Sequence, residues 1–214
     1  MTSWRDKYSA GYLSNAEDTS LNDLVHVLHQ TKTQYKPLPG FDSTSCAVEE
    51  RLMAGVDCDE VYPGIFIGDA GAAKDREYLK RLGVTHVLNT AEGNRFGMVN
   101  TSRDYYRGTN IKYLGIHLMD LPMTNIGAHF AETAEFIDEA IRNGGKVMVH
   151  CLMGMSRSST CVLAYLMLKR GLSAADALRT VRSSRDIRPN DGFLRQLVDL
   201  DNKLRRDRAR GTAL

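Results

Sequence analysis

Long apolar runs are missing from this 214-residue chain: nothing in it approaches the ~18–20 consecutive nonpolar residues that a membrane-spanning helix needs. The amino terminus, Met1-Thr2-Ser3-Trp4-Arg5-Asp6-Lys7, lacks the apolar centre of a secretory signal, and Thr2 stands where myristoylation requires glycine. The carboxyl end lacks a prenylation cysteine. Cysteine itself is scarce. Cys46, Cys58, Cys151 and Cys161 show neither metal-ligand spacing nor a dense disulfide framework, so neither metal nor cofactor is expected. An excess of one charge sign is absent too: the net charge of +2 gives no global case for binding nucleic acid. The expectation is a reduced cytoplasmic protein, with the nucleus also open to it, and without nucleic acid or membrane among its partners.

What is present suits one globular domain with short extensions. Hydrophobic residues make up 43% and charged residues 25%, an ordinary balance for a soluble fold with a real core. Residues 1–18 are polar and read as a mobile tail. Thr19 or Ser20 is placed to cap a helix whose apolar face is Leu21, Leu24, Val25 and Leu28. With the proline- and glycine-containing loop at 32–57, it makes an amino-terminal unit over 19–57. Strand patterns follow at about 61–67, 84–88, 111–116 and 146–150. Helical patterns occupy about 72–82, 128–142, 158–170, 173–184 and 191–206. This alternation predicts an α/β fold, a central mainly parallel sheet flanked by helices, over 58–206. Residues 207–214 form a basic tail; the cations from Lys203 to Arg210 read either as a solvated helix end or as a contact for acidic partners.

Chemistry concentrates in His150-Cys151-Leu152-Met153-Gly154-Met155-Ser156-Arg157, which continues as Ser158-Ser159-Thr160. A strand leads into it and a helix leaves it, so backbone N–H groups converge on one point at a helix N-terminus. Such a loop lowers a cysteine pKa from ~8.5 toward ~3.5–7.5, which supplies thiolate without a separate base. Gly154 lets the backbone turn tightly against an anion, and Arg157 offers a planar fork of donors to its oxygens. The Ser158 hydroxyl is in reach of the sulfur and can ease its departure from a phosphorylated state. The stretch is built to attack a phosphate ester.

These residues resemble the Cys-x5-Arg loop of the protein tyrosine phosphatase superfamily. Val61-Tyr62-Pro63-Gly64-Ile65-Phe66-Ile67-Gly68-Asp69, Gly83-Val84-Thr85-His86-Val87-Leu88-Asn89, Tyr113-Leu114-Gly115-Ile116 and Arg188-Pro189-Asn190-Asp191-Gly192-Phe193-Leu194 look like further blocks of the small atypical dual-specificity phosphatases, nearest the VHR-type subgroup. The likeness spans about residues 21–206. It implies a protein tyrosine phosphatase-like fold, with residues His150 to Arg157 around the substrate phosphate. It implies, too, that Asp120, after the Tyr-Leu-Gly-Ile block, is the general acid; a turn aspartate capping the coming helix is the other reading.

His150 is expected to hydrogen-bond the loop or to be structurally satisfied. Asn190 is expected to cap a helix, to brace the loop, or both. Arg185 is read either as a contact for the second phosphate of a doubly phosphorylated kinase activation loop or as an exposed surface residue. Met148 and Met167 read as core, and Met153 and Met155 as an apolar rim. Cys161 reads as a small buried residue, while the reach of Cys46 and Cys58 to Cys151 stays open. Three functions compete. The first is a protein phosphatase for phosphotyrosine and phosphoserine/phosphothreonine, acting through a cysteinyl-phosphate. The second is a phosphatase for a non-protein ester, disfavoured by the absence of lysines in the loop. The third is a non-catalytic phosphate-binding or kinase-docking module, disfavoured because Cys151, Arg157 and Asp120 are all present. No long segment ahead of the loop suits a deep tyrosine-gripping wall, which favours dual specificity. The apolar loop residues differ from the Arg and Glu that follow the cysteine in VHR itself.

Overall fold

The structure, a computed structural model, describes residues 18–41 and 47–211. The expectations for residues 1–17, for Cys46 and for the last three residues lie outside the described residues. Five strands form one sheet: β1 (Cys58–Tyr62), β2 (Ile65–Gly68), β3 (His86–Asn89), β4 (Lys112–Gly115) and β5 (Val147–His150). Their order is β1-β2-β5-β3-β4. Only the β1–β2 pair is antiparallel; β5 runs parallel to β2 on one side and to β3 on the other.

The single strand expected over 61–67 is instead the turn and second arm of a hairpin. Pro63 cannot donate to a ladder, and Gly64 takes φ +76, so the chain reverses between Tyr62 and Ile65. In the same way the helix expected over 72–82 is two helices, α3 (Ala70–Lys74) and α4 (Arg76–Leu82). Asp75 is extended, ends the first and accepts from Tyr78 N–H to cap the second. The loop expected at 32–57 holds a further helix, α2 (Ala47–Ala54).

Period-2 geometry makes β5 the middle of two cores. Val147 and Val149 face a cluster with Ile65, Ile67 and Leu88, while Met148 joins Phe66, Val87, Leu79 and Tyr113 on the other face. The first core is covered by α1 (Leu21–Gln30), α5 (Phe130–Arg142), α6 (Arg157–Arg170), α7 (Ala174–Ser184) and α8 (Asp191–Ala209). Residues Arg157 to Met167 of α6 are all buried, the mark of a helix enclosed on every side. Met167 and Cys161 sit in that core.

Ser20 caps α1 in a reciprocal box with Asp23, and Leu24 and Val27 dock the helix at about 1.5–3 kcal/mol for each side chain fully buried. Thr19 Oγ1 donates to Asp201 at 2.6 Å, and the other oxygen of Asp201 accepts from Ala174 N–H. One buried carboxylate on α8 thus ties the starts of α1 and α7. Helix α8 continues to Ala209, three residues beyond its expected end, so part of the basic tail is helical. No described helix is long and apolar enough to cross a membrane.

Candidate active site

The loop from Cys151 to Ser156 leaves the carboxyl end of β5, where open α/β sheets place their ligands, and runs straight into α6. Its carbonyls are turned outward one after another. Leu152 O accepts from Ala70 N–H at 3.0 Å, Met153 O and Gly154 O accept from the Arg185 guanidinium at 3.0 and 2.8 Å, and Met155 O accepts from Arg188 N–H at 2.9 Å. In a planar trans peptide the N–H points opposite to the carbonyl. The next four N–H groups therefore aim inward, above Cys151.

Gly154 has φ +67, and a Cβ there would lie 2.5 Å from Gly68 O and 2.8 Å from the Arg185 guanidinium. No other residue fits without opening the loop. Cys151 is 2% exposed, with Sγ 3.4 Å from Ser158 Oγ. Burial works against its thiolate. The Ser158 hydroxyl and N–H, the Arg157 charge and the Met155 N–H outweigh burial and draw the pKa below its ordinary value. Cys58 and Cys161, buried without such a nest, are pushed up to about 12, so the same residue type is an inert thiol in both places.

Arg157 is 4% exposed; its Nη1 donates to Leu118 O at 3.0 Å and lies 3.6 Å from Met98 Sδ. Its buried Nε has no hydrogen-bond partner among the described residues and stands 3.5 Å from Asp120 Oδ2. Asp120 is held over the loop by its other oxygen, which accepts from Ser156 Oγ at 2.8 Å and from Asn190 Nδ2 at 2.9 Å. Asn190 caps a helix, reaches the phosphate loop with its backbone N–H 3.4 Å from Ser156 Oγ, and holds Asp120 as well. Its Oδ1 accepts from Phe193 N–H to cap α8, and its amide tethers Asp120. Gly192 explains why this block carries glycine: a Cβ would fall 1.9 Å from Pro122 O, inside the loop that holds Asp120.

Two expectations need correction. His150 was counted among the residues around the substrate, but it is wholly buried beneath them, with Nδ1 3.1 Å from Cys151 O. Burial pushes its pKa down to about 4, so it adds no positive charge beside the sulfur. Arg185 is neither exposed nor turned toward a second phosphate. It is 4% exposed behind the loop, where two ion pairs, to Asp57 at 2.6 Å and Asp59 at 2.7 Å, and the two loop carbonyls engage its guanidinium.

Asp57 and Asp59 were missed by sequence reasoning. Their period-2 spacing on the strand edge was the available signal, but their partner is 126 to 128 residues away. Met98 was missed as well, in a loop with no motif. Leu152 and Met153 point outward at the entrance, Met153 being 61% exposed, together with Met119, Leu121 and Met123 from the Asp120 loop.

Residues 65–203 match a family model described as the dual specificity phosphatase, catalytic domain. Dual specificity protein phosphatase 13B of Mus musculus is 48% identical over 153 residues, covering 71% of this chain and 76% of that protein. Dual specificity protein phosphatase 26 of Homo sapiens is 46% identical over 148 residues, covering 69% of this chain and 68% of its own length. The crystal structure of human DUSP28 superposes with a TM-score of 0.60 at 33% identity, over 69% of this chain and 95% of that one.

Proposed function

Because this chain belongs to the dual-specificity protein phosphatases of the protein tyrosine phosphatase superfamily, we propose that Cys151, Arg157, Asp120 and Ser158 carry out its hydrolysis of phosphorylated proteins. The observation that carries this assignment is a buried thiol stabilised as thiolate, next to a buried arginine, under a ring of inward N–H groups. The inward amides and Arg157 hold the phosphate oxygens while Cys151 Sγ attacks phosphorus. The bond to the leaving oxygen breaks as Asp120 gives that oxygen a proton. Ser156 and Asn190 occupy Oδ1, which leaves Oδ2 as the oxygen that delivers it. Asp120 then takes a proton from the water that attacks the phosphocysteine. Ser158 donates to the departing sulfur from 3.4 Å.

Peptide esters suit the entrance better than polyphosphorylated lipids, since Leu152 and Met153 present nonpolar side chains where extra phosphates need cations. The finer expectation of doubly phosphorylated kinase activation loops rested on Arg185, and its two ion pairs withdraw that support. The test is hydrolysis of matched phosphotyrosine and phosphothreonine peptides by the native protein and by Cys151→Ser. Turnover of both by the native protein, with loss of at least about a thousandfold and retained peptide binding in the variant, is the expected result. Residual turnover near the native rate in Cys151→Ser would remove the nucleophile from this scheme.

A further inference from the structure

A cavity of about 340 Å³ opens beside the phosphate loop. That size is near the lower end of ligand pockets, roughly 300–1,000 Å³, and suits a side chain better than a cofactor. Its walls are Tyr35, Leu52 and Met155, the last belonging to the phosphate loop itself. Tyr35 and Leu52 are 69% and 77% exposed, so the nonpolar surface is open to an arriving peptide.

The base of the cavity holds charge that is already compensated. Arg51 contacts Asp57 at 2.5 Å and Asp59 at 2.6 Å, and Arg185 contacts the same two carboxylates from the other side. Asp186, at the edge, is paired with Arg182 and Arg188. The lining thus presents two guanidiniums against three carboxylates, and both guanidiniums are committed. A phosphate placed there would have to displace a carboxylate from an arginine. A lysine would find carboxylates whose charge is spent. A nonpolar side chain loses nothing at the base and covers exposed nonpolar walls.

We propose that this cavity is a specificity subsite that takes an aliphatic or aromatic side chain of the substrate beside the phosphorylated residue and discriminates against a second phosphate. The occupant follows from continuity: Met155 is shared between the phosphate loop and the cavity wall, so a peptide seated at Cys151 passes over it. The proposal rests on the phosphatase assignment and narrows its substrates.

The experiment compares kcat/KM for singly phosphorylated peptides carrying leucine, glutamate, lysine or phosphothreonine at each of the two positions on either side of the phosphorylated residue. A small aryl phosphate, too short to reach the cavity, reports the phosphate loop alone. At one position, leucine should exceed glutamate, lysine and phosphothreonine by about tenfold, the scale of burying one aliphatic side chain. Leu52→Glu should reduce that leucine preference to about twofold or less, each rate being divided by the variant's own aryl phosphate rate. Asp57→Asn leaves Arg51 and Arg185 with Asp59 as their one shared carboxylate, and should move the normalised ratio toward the doubly phosphorylated peptide by about fivefold. A flat profile, or preference for lysine or phosphothreonine in the native protein, overturns the subsite. So does a leucine preference untouched by Leu52→Glu. Absent aryl phosphate turnover would instead overturn the phosphatase assignment beneath it.

Discussion

Among the three described cysteines, burial is common and reactivity is not. Cys58 and Cys161 are held near 12 chiefly by desolvation, whereas the surroundings of Cys151 outweigh it. Iodoacetamide at neutral pH should therefore label Cys151 and leave Cys58 and Cys161 unmodified until the chain is unfolded, as read by peptide mapping. Comparable labelling of either in the folded protein would contradict this. Asp120→Asn keeps the hydrogen-bond geometry but removes the proton. It should slow hydrolysis of an alkyl phosphate such as a phosphoserine peptide by about 10²–10⁴, and that of an aryl phosphate with a good leaving group far less. Equal losses on the two substrates would speak against a general acid. Contiguous chemistry was the legible part of this site: a thiol, a glycine, an arginine and a hydroxyl in one loop state their purpose by spacing. Arg185 did not, because a cation's role depends on whether its counter-ions are near, and Asp57 and Asp59 reach it only through the fold.

At the scale of elements, the alternation of strands and helices was readable in the sequence, and its divisions were less so. The apolar residues on both sides of Pro63-Gly64 hid the hairpin between β1 and β2, since Val61 and all of β2 are buried and only that dipeptide marks the reversal. Asp75 hid the break between α3 and α4, because an aspartate in a helical pattern reads equally as a surface residue. The start of α8 is a joint as well as a cap. Gly192 packs on Pro122, and Asn190 holds Asp120, so this helix end sets the height of the acid above the loop. Gly192→Ala must push Pro122 away, at about 1–3 kcal/mol of stability for overpacking. We expect the variant to fold and to lose at least about tenfold in kcat on a phosphoserine peptide, with little change on an activated aryl phosphate. Parallel losses on both would mean that the phosphate loop, not the acid, had moved.

The whole molecule is sensitive to acid for a reason that lies under its active site. His150 has a folded pKa of about 4 against ~6.5 when unfolded. Burial likewise lowers His86. As pH falls through this window the unfolded chain takes up protons first, so stability is full above about 6.5 and declines toward 4. For His150 alone the loss is about 3 kcal/mol across that range. Below it, Asp57 acts with the opposite ionic form and the same sign. Burial opposes its ionisation, but Arg185 and Arg51 hold its pKa low, and stability is lost as pH drops through that value. Urea midpoints measured at pH 7.5 and 5 should differ clearly in the native protein and much less in His150→Asn. A similar decline in that variant would place the sensitivity elsewhere.

The outward tethering of the four loop carbonyls also has a kinetic meaning. Because Ala70, Arg185 and Arg188 fix the loop's carbonyls through hydrogen bonds of the protein itself, a tetrahedral oxyanion arrives at a mould already set. Little ordering remains to be done at the moment of capture. Phosphate mimics should thus associate without a slow rearrangement phase, and the time for which they block the enzyme is governed by how fast they escape.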